Sequence, residues 1–255
     1  MKVEEDKCIG CLECVDYCPV NAIKAGDEDG RVFIDEEECV ECGCCLRVEA
    51  CEYEALWQPD LQWPRILRAQ FSDPCVKHAS GSGSSGRGTS EIKNNDVTGR
   101  YPLGSIGIAA EIGRPGTGTR MDDIEKVAQA VLSLGVELEK ENPTYNLFED
   151  PASGKLREDI RGEKVLSAIL EFKTTEDKAP DVLKALSRIS SKVDTVFSVD
   201  IASMMEPDGG MPAERVAEKA GFRLRPNGKN NLGLGRYCTE INETVGKNSI
   251  VLKQA

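Results

Sequence analysis

Nine cysteines fall within the first 51 residues, and the spacing of eight of them constrains the fold more than any other feature. Cys8, Cys11, Cys14 and Cys18 read C-x2-C-x2-C-x3-C, with Pro19 next, and Cys39, Cys42, Cys45 and Cys51 read C-x2-C-x2-C-x5-C. Three cysteines two residues apart can wrap three corners of one inorganic cube and leave the fourth to a thiolate from elsewhere in the chain. Soft thiolate ligands select iron–sulfur clusters. Zinc sites usually pair two C-x2-C knuckles around one tetrahedral ion, and three successive steps suit that poorly. A disulfide framework is disfavoured because no secretory signal precedes Cys8.

The first run, closed by Pro19, resembles the bacterial two-cluster ferredoxins, and the likeness covers roughly residues 1–60. In that family the fourth cysteine of each run ligates the other cluster. The resemblance therefore implies one [4Fe–4S] cluster on Cys8, Cys11, Cys14 and Cys51, and a second on Cys39, Cys42, Cys45 and Cys18. The flanks repeat too, since Cys18-Pro-Val-Asn-Ala-Ile23 aligns with Cys51-Glu-Tyr-Glu-Ala-Leu56. Two departures bear on the seating of Cys51: five residues, not three, precede it, and Glu52 stands where proline is expected. Cys44 is read as a small apolar filler, and Cys75 and Cys238 as buried or free thiols.

Charge is uneven. Residues 1–60 hold 17 Asp/Glu against 5 Lys/Arg, which is the whole of the net −12, while the remainder balances. With no basic face to neutralise phosphates, nucleic acid is excluded as an expected partner. An acidic surface suits docking of a redox partner or catalytic subunit through a basic patch. No stretch reaches the roughly 18 apolar residues of a membrane span. Free thiols with no leader point to a cytoplasm that tolerates low potential, as in anaerobes.

Along the chain, Val3 begins an edge strand, Gly26 to Gly30 is an acidic turn, and Arg31 to Ile34 is a strand. Trp57 to Pro74 reads as an irregular connector, with its tryptophans as packing residues. The Gly/Ser-rich run from His78 to Ser90 matches G-x-G-x-x-G only formally, because no strand precedes it and no amphipathic helix follows. His78, the one histidine, is expected to be exposed. Beyond it, Ile106 to Ile112 alternate as a strand, and a helix capped by Asp122 runs through Leu132 to Gly135. Val136 starts a second strand, and Asn142 to Gly162 is a polar excursion. Leu166 to Phe172 form a third strand, a helix opens at Pro180, Val196 to Ile201 give a fourth strand, and Pro212 to Ala220 form a last helix.

The expected fold class is α+β. A two-cluster domain (1–60) is followed by a connector with the Gly/Ser-rich loop (61–102) and a split βαβ domain with a C-terminal extension (103–255). The order βαββαβ places two helices on one face of an antiparallel sheet, an α/β sandwich that resembles ACT-like modules in shape; a homodimer through it is left open.

Four loop runs, Gly86-Arg-Gly-Thr-Ser-Glu91, Asn95-Asp-Val-Thr-Gly-Arg100, Gly113-Arg-Pro-Gly116 and Arg225-Pro-Asn-Gly-Lys229, resemble the ferredoxin-fused family labelled 6-hydroxynicotinate reductase. That likeness implies low-potential reduction of a hard-to-reduce substrate, with a catalytic part in this chain or in a partner. Arg87, Arg100, Arg114 and Arg236 are the candidate anion-binding residues for a substrate or flavin, though no flavin motif is present. The leading expectation is low-potential electron transfer through two [4Fe–4S] clusters, by a carrier or by a subunit of an oxidoreductase. The alternative is an iron–sulfur reductase. No acid/base pair or nucleophile commits the sequence to a chemistry.

Overall fold

A computed structural model describes residues 1–26, 30–78, 92, 95–114 and 118–224. The chain is a mixed α and β protein. Its N-terminal part is built from short pieces: β1 (Lys2–Val3), β2 (Ile23–Ala25), β3 (Val32–Ile34), α1 (Cys44–Arg47) and β4 (Leu56–Trp57). β1 pairs with β4, and β2 with β3, both antiparallel. A small core of Met1, Val20, Ala22, Ile23, Val32, Val40, Ala50 and Leu56 joins the two halves. The centre of the acidic turn, residues 27–29, lies outside the described residues.

The stretch read as an irregular connector contains α2 (Ile66–Ser72). Leu67 and Phe71 stand one helical turn apart, and both enter the larger core. The tryptophans do not pack inward. Trp57 and Trp63 are exposed, and Trp63 donates from its indole N–H to Asp159 at 2.5 Å with Arg157 stacked on its ring. His78 is buried rather than exposed, its ring edge-on to Phe71 at 4.5 Å between centroids. The Gly/Ser-rich run after it lies outside the described residues, as do Arg87, Arg236 and Cys238.

After the short α3 (Asn95–Thr98) come β5 (Ser105–Ile112), β6 (Thr119–Arg120), α4 (Met121–Leu132) and β7 (Glu137–Leu138). The residue at the cap position is Arg120, which makes no side-chain cap, so Asp122 lies in the first turn of the helix and is not its cap. The expected polar excursion is ordered instead. Asn142 caps a 3-10 turn at Pro143–Leu147, and the hairpin β8 (Phe148–Asp150) and β9 (Lys155–Leu156) follows. β10 (Lys164–Val165), β11 (Ala168–Thr175), α5 (Ala179–Ile189), β12 (Phe197–Ala202) and α6 (Pro212–Ala220) complete the described chain.

The main sheet runs β12-β5-β11-β7, every neighbour antiparallel. Ile106, Ile108, Ala110 and Ile112 of β5, with Ala168, Leu170 and Phe172 of β11, meet Ile124, Val127 and Val131 of α4 and Val182 and Leu186 of α5 in one core. The alternate residues are buried as well, because the second face is covered: the Tyr101 ring lies where a Cβ on Gly107 would stand, and Glu171 accepts from Ile92 N–H at 2.7 Å. A larger residue at Gly107 must therefore displace Tyr101. Phe172 is fully enclosed, so Phe172→Ala is expected to lower the unfolding free energy by about 3–5 kcal/mol, read as a lower urea midpoint at unchanged slope.

Candidate metal centre

The two cysteine runs fold as a repeat. Gly10 and Glu41, Leu12 and Gly43, and Asn21 and Glu54 occupy equivalent places, and all six have positive φ between 52° and 74°. Left-handed residues at these points turn successive backbone N–H groups toward one concavity, a nest suited to anionic iron–sulfur sites. Near each fourth cysteine the same contact recurs. Ala22 N–H donates to Cys18 Sγ at 3.1 Å, and Ala55 N–H donates to Cys51 Sγ at 3.4 Å.

Two hollows result. One is lined by Cys18, Cys39, Cys42 and Cys45 with Met1, Val20, Val40 and Glu41. The other is lined by Cys8, Cys11, Cys14 and Cys51 with Ile9, Leu12, Val32 and Tyr53. The last cysteine of each run thus stands in the other run's hollow. A tetrahedral zinc site needs sulfurs about 3.8 Å apart around one ion. Among the described residues no three His, Cys, Asp or Glu side chains group as a single-ion site. Four thiols walling a hollow without converging on one point suit a cube, so donor chemistry and shape both fit a [4Fe–4S] cluster.

Burial pushes the Cys14 thiol up to about 11, with Cys51, Cys11 and Cys8 adding to it. Burial likewise raises Cys42 to about 11, Cys45 to about 12 and also Cys39. At neutral pH these four hold protons until a metal displaces them. Cys44 follows the left-handed Gly43, is half-buried and does not line the hollow of Cys39, Cys42 and Cys45; Cys75 is exposed.

The hollow holding Cys39 is braced by cations from later in the chain. Arg68 of α2 is 3% exposed. Its Nη1 donates to the carbonyls of Glu36, Glu37 and Cys39 at 2.8, 3.2 and 2.9 Å, while its Nε pairs with Glu163. Lys164 pairs with Glu38, and Arg120 lies 3.4 Å from the same carboxylate. Glu41 is buried. Burial alone would raise its pKa, but the Met1 ammonium, Gln58 and Arg65 outweigh it and hold the carboxyl below its ordinary range.

Of the arginine-loop candidates, the two among the described residues are each paired with a carboxylate. The Arg100 guanidinium is 2.5 Å from Glu139, and the exposed Arg114 is 3.5 Å from Glu111. Sequence reasoning missed Arg68, Arg65 and Lys164; the one signal for them was the excess acid of the first sixty residues.

A family profile for the 4Fe-4S binding domain matches residues 1–24. The N-terminus carries a ferredoxin-type [4Fe–4S] domain. Curated relatives match short segments. The polyferredoxin-like subunit of an aliphatic sulfonate oxidoreductase from Pyrococcus furiosus is 39% identical over 41 residues, 14% of this chain and 24% of its own. An uncharacterized ferredoxin of Methanocaldococcus jannaschii is 36% identical over 67 residues, 26% of this chain and 38% of its own. A tetrathionate reductase subunit from Archaeoglobus fulgidus is 50% identical over 42 residues, 16% and 19% respectively. The chain thus spans well under half the length of these relatives. No solved structure matches it.

Removing the brace on the ferredoxin-type domain tests its weight. Arg68→Met leaves Glu163 unpaired and three carbonyls without their donor. It is expected to cost about 3–5 kcal/mol of stability by urea unfolding and to speed iron loss to a chelator.

Proposed function

We propose that the chain is a low-potential electron-transfer protein, or the electron-transfer subunit of an oxidoreductase, holding two [4Fe–4S] clusters. Cys8, Cys11, Cys14 and Cys51 hold one, and Cys39, Cys42, Cys45 and Cys18 the other. The observation that carries this reading is the crosswise sharing of thiols between two hollows. A [4Fe–4S] cube supplies reversible one-electron transfer at a potential set by net charge, hydrogen bonds to sulfur and exposure. The chain's own residues set those terms. Ala22 and Ala55 N–H groups donate to ligand sulfurs and disperse their negative charge. Met1, Val20, Val40, Val32 and Leu56 wall the hollows with buried apolar surface that excludes water.

The remaining assignments follow as parts of this proposal. Residues 1–60 form the two-cluster domain, 61–102 a connector, and 103–255 a second domain. The sheet order β12-β5-β11-β7 with α4 and α5 against one face supports an ACT-like split βαβ reading of that domain. A redox partner or catalytic subunit docks on the acidic N-terminal domain, as the names of two relatives, each a subunit of a redox enzyme, support. Oxygen-sensitive clusters favour the cytoplasm of an organism living at low potential; no described helix is long and apolar enough to cross a membrane. The alternative, a 6-hydroxynicotinate reductase-like enzyme holding substrate or flavin in its arginine-rich loops, has less support. Arg100 and Arg114 already face carboxylates, Glu139 and Glu111.

Anaerobic preparation is expected to give about eight iron and eight sulfide per chain, with the EPR of reduced cubanes. Cys51→Ser and Cys18→Ser are each expected to remove about half the iron, from different centres. About one zinc and no sulfide per chain would refute the assignment.

A further inference from the structure

The two hollows differ in what surrounds them. The one lined by Cys18, Cys39, Cys42 and Cys45 adjoins the rest of the chain. Arg68 donates to Cys39 O, Leu166 packs against the small core, and Val20 Cγ1 lies 3.5 Å from where a Cβ on Gly118 would stand. The one lined by Cys8, Cys11, Cys14 and Cys51 faces outward. Among the described residues, every hydrogen bond made by 8–14 and 51–54 is to another residue of the first sixty. Cys11 is exposed. Around it Ile9, Leu12 and Tyr53, which all line this hollow, are 59%, 42% and 47% exposed. Three large apolar side chains left in water over a single hollow form a patch of the kind that marks an interaction site.

The rim of that patch is acidic. Glu4, Glu5 and Asp6 precede Cys8, Glu13 follows Leu12, and Glu52 and Glu54 flank Tyr53; all are exposed. Lys7 neutralises one of them, Glu4, at 3.1 Å, and Asp6, Glu13, Glu52 and Glu54 carry the rim charge. An apolar centre in an anionic ring complements a protein surface with an apolar centre in a ring of Lys and Arg. Charge of this kind speeds encounter and fixes orientation, while a small apolar contact keeps the complex transient.

We propose that Ile9, Leu12 and Tyr53, ringed by Glu13, Glu52, Glu54 and Asp6, are the port where a basic redox protein docks and exchanges one electron with the centre held by Cys8, Cys11, Cys14 and Cys51. The centre that shares Cys18 faces the chain's own second half. This rests on the electron-transfer reading above and adds which centre meets the outside and through which residues.

Ferric cytochrome c, a basic haem protein, is the probe. The protein is reduced anaerobically and freed of reductant. Its oxidation is followed by stopped flow as one electron passes from it to each ferric haem, which becomes ferrous. The native rate constant is expected to fall steeply with salt. Glu13→Lys with Glu52→Lys is expected to lower it at least tenfold at low salt and to flatten the salt dependence. Glu214→Lys with Glu218→Lys, the same charge change on the exposed side of α6, is expected to lower it less than threefold. Asp6→Lys with Glu54→Lys repeats the test should the first pair disturb cluster binding. Equal slowing by the rim pair and the α6 pair, or no slowing by either, overturns the port. Iron, sulfide and EPR are recorded first on each protein. A native chain without clusters defeats the electron-transfer reading itself, and clusters with indifferent rates defeat only the port.

Discussion

A single buried guanidinium links the two parts of this molecule. Arg68 sits on α2, whose apolar side enters the large core through Leu67 and Phe71. Its head reaches back to the carbonyls of residues 36, 37 and 39, at the start of the second cysteine run. A charge so enclosed is tolerated only when paired and hydrogen-bonded, and Glu163, next to β10, supplies the countercharge. Around it Arg65, Arg120 and Lys164 meet Glu36, Glu37, Glu38 and Glu41. The acid excess of the first sixty residues is therefore not all surface. Part of it is the docking strip onto which the later chain fastens.

That strip gives the cysteine domain its polarity. A unit this small buries too little apolar surface for a comfortable core, and its core is a short list of small and medium side chains around thiols. On one side the deficit is made up by contact with α2, β6 and β10. On the other there is no such cover among the described residues, and Ile9, Leu12 and Tyr53 stay in water. The same amino-acid pattern, used twice, thus yields one cysteine-lined hollow set inside the molecule and one set at its edge.

The elements that read clearly from the sequence were those with strong local periodicity. The cysteine spacing is a period in itself. β5, β11, α4 and α5 have apolar residues at spacings of two or of three and four, and the structure puts each where the pattern does, within a few residues. α2 did not read, because Pro59, Pro64 and Pro74 bracket it and its inward positions include Arg68 and Gln70, which break the apolar stripe. Pro64 lies just ahead of the helix, a place where a missing N–H costs little. The hairpin between Asn142 and Gly162 was hidden for another reason: its strands are two and three residues long, and Leu147, Phe148, Leu156 and Ile160 are too far apart to show a period. His78 offered no sequence signal, since its burial against Phe71 follows from chain direction after α2. The clamp of Arg65, Arg68, Arg120 and Lys164 is scattered over a hundred residues, so only the imbalance of charge announced that such a set must exist.

The irregular second run shows how the repeat absorbs a change in length. After Cys14 the chain makes one tight 3-10 turn, with Tyr17 N–H on Cys14 O and Cys18 N–H on Val15 O, and reaches the fourth cysteine directly. Around Cys45 the equivalent stretch opens into α1, with Arg47 N–H on Gly43 O and Val48 N–H on Cys44 O, the wider i to i+4 pattern. The two additional residues are spent at Val48 and Glu49, and Glu49 turns the chain back at φ 52° so that Ala50 N–H meets Cys45 O. Arg47 locks the wider turn by donating to Cys42 O at 2.7 Å and pairing with Asp73. Beyond it the copies coincide again, since Cys51 accepts from Ala55 as Cys18 does from Ala22. The loss of proline at position 52 is harmless for the same reason. The position of the fourth sulfur is set by the N–H four residues on and by the turn behind it, and neither depends on a proline ring. The longer loop therefore changes how the chain arrives at the hollow of Cys8, Cys11 and Cys14, and leaves what it delivers there the same.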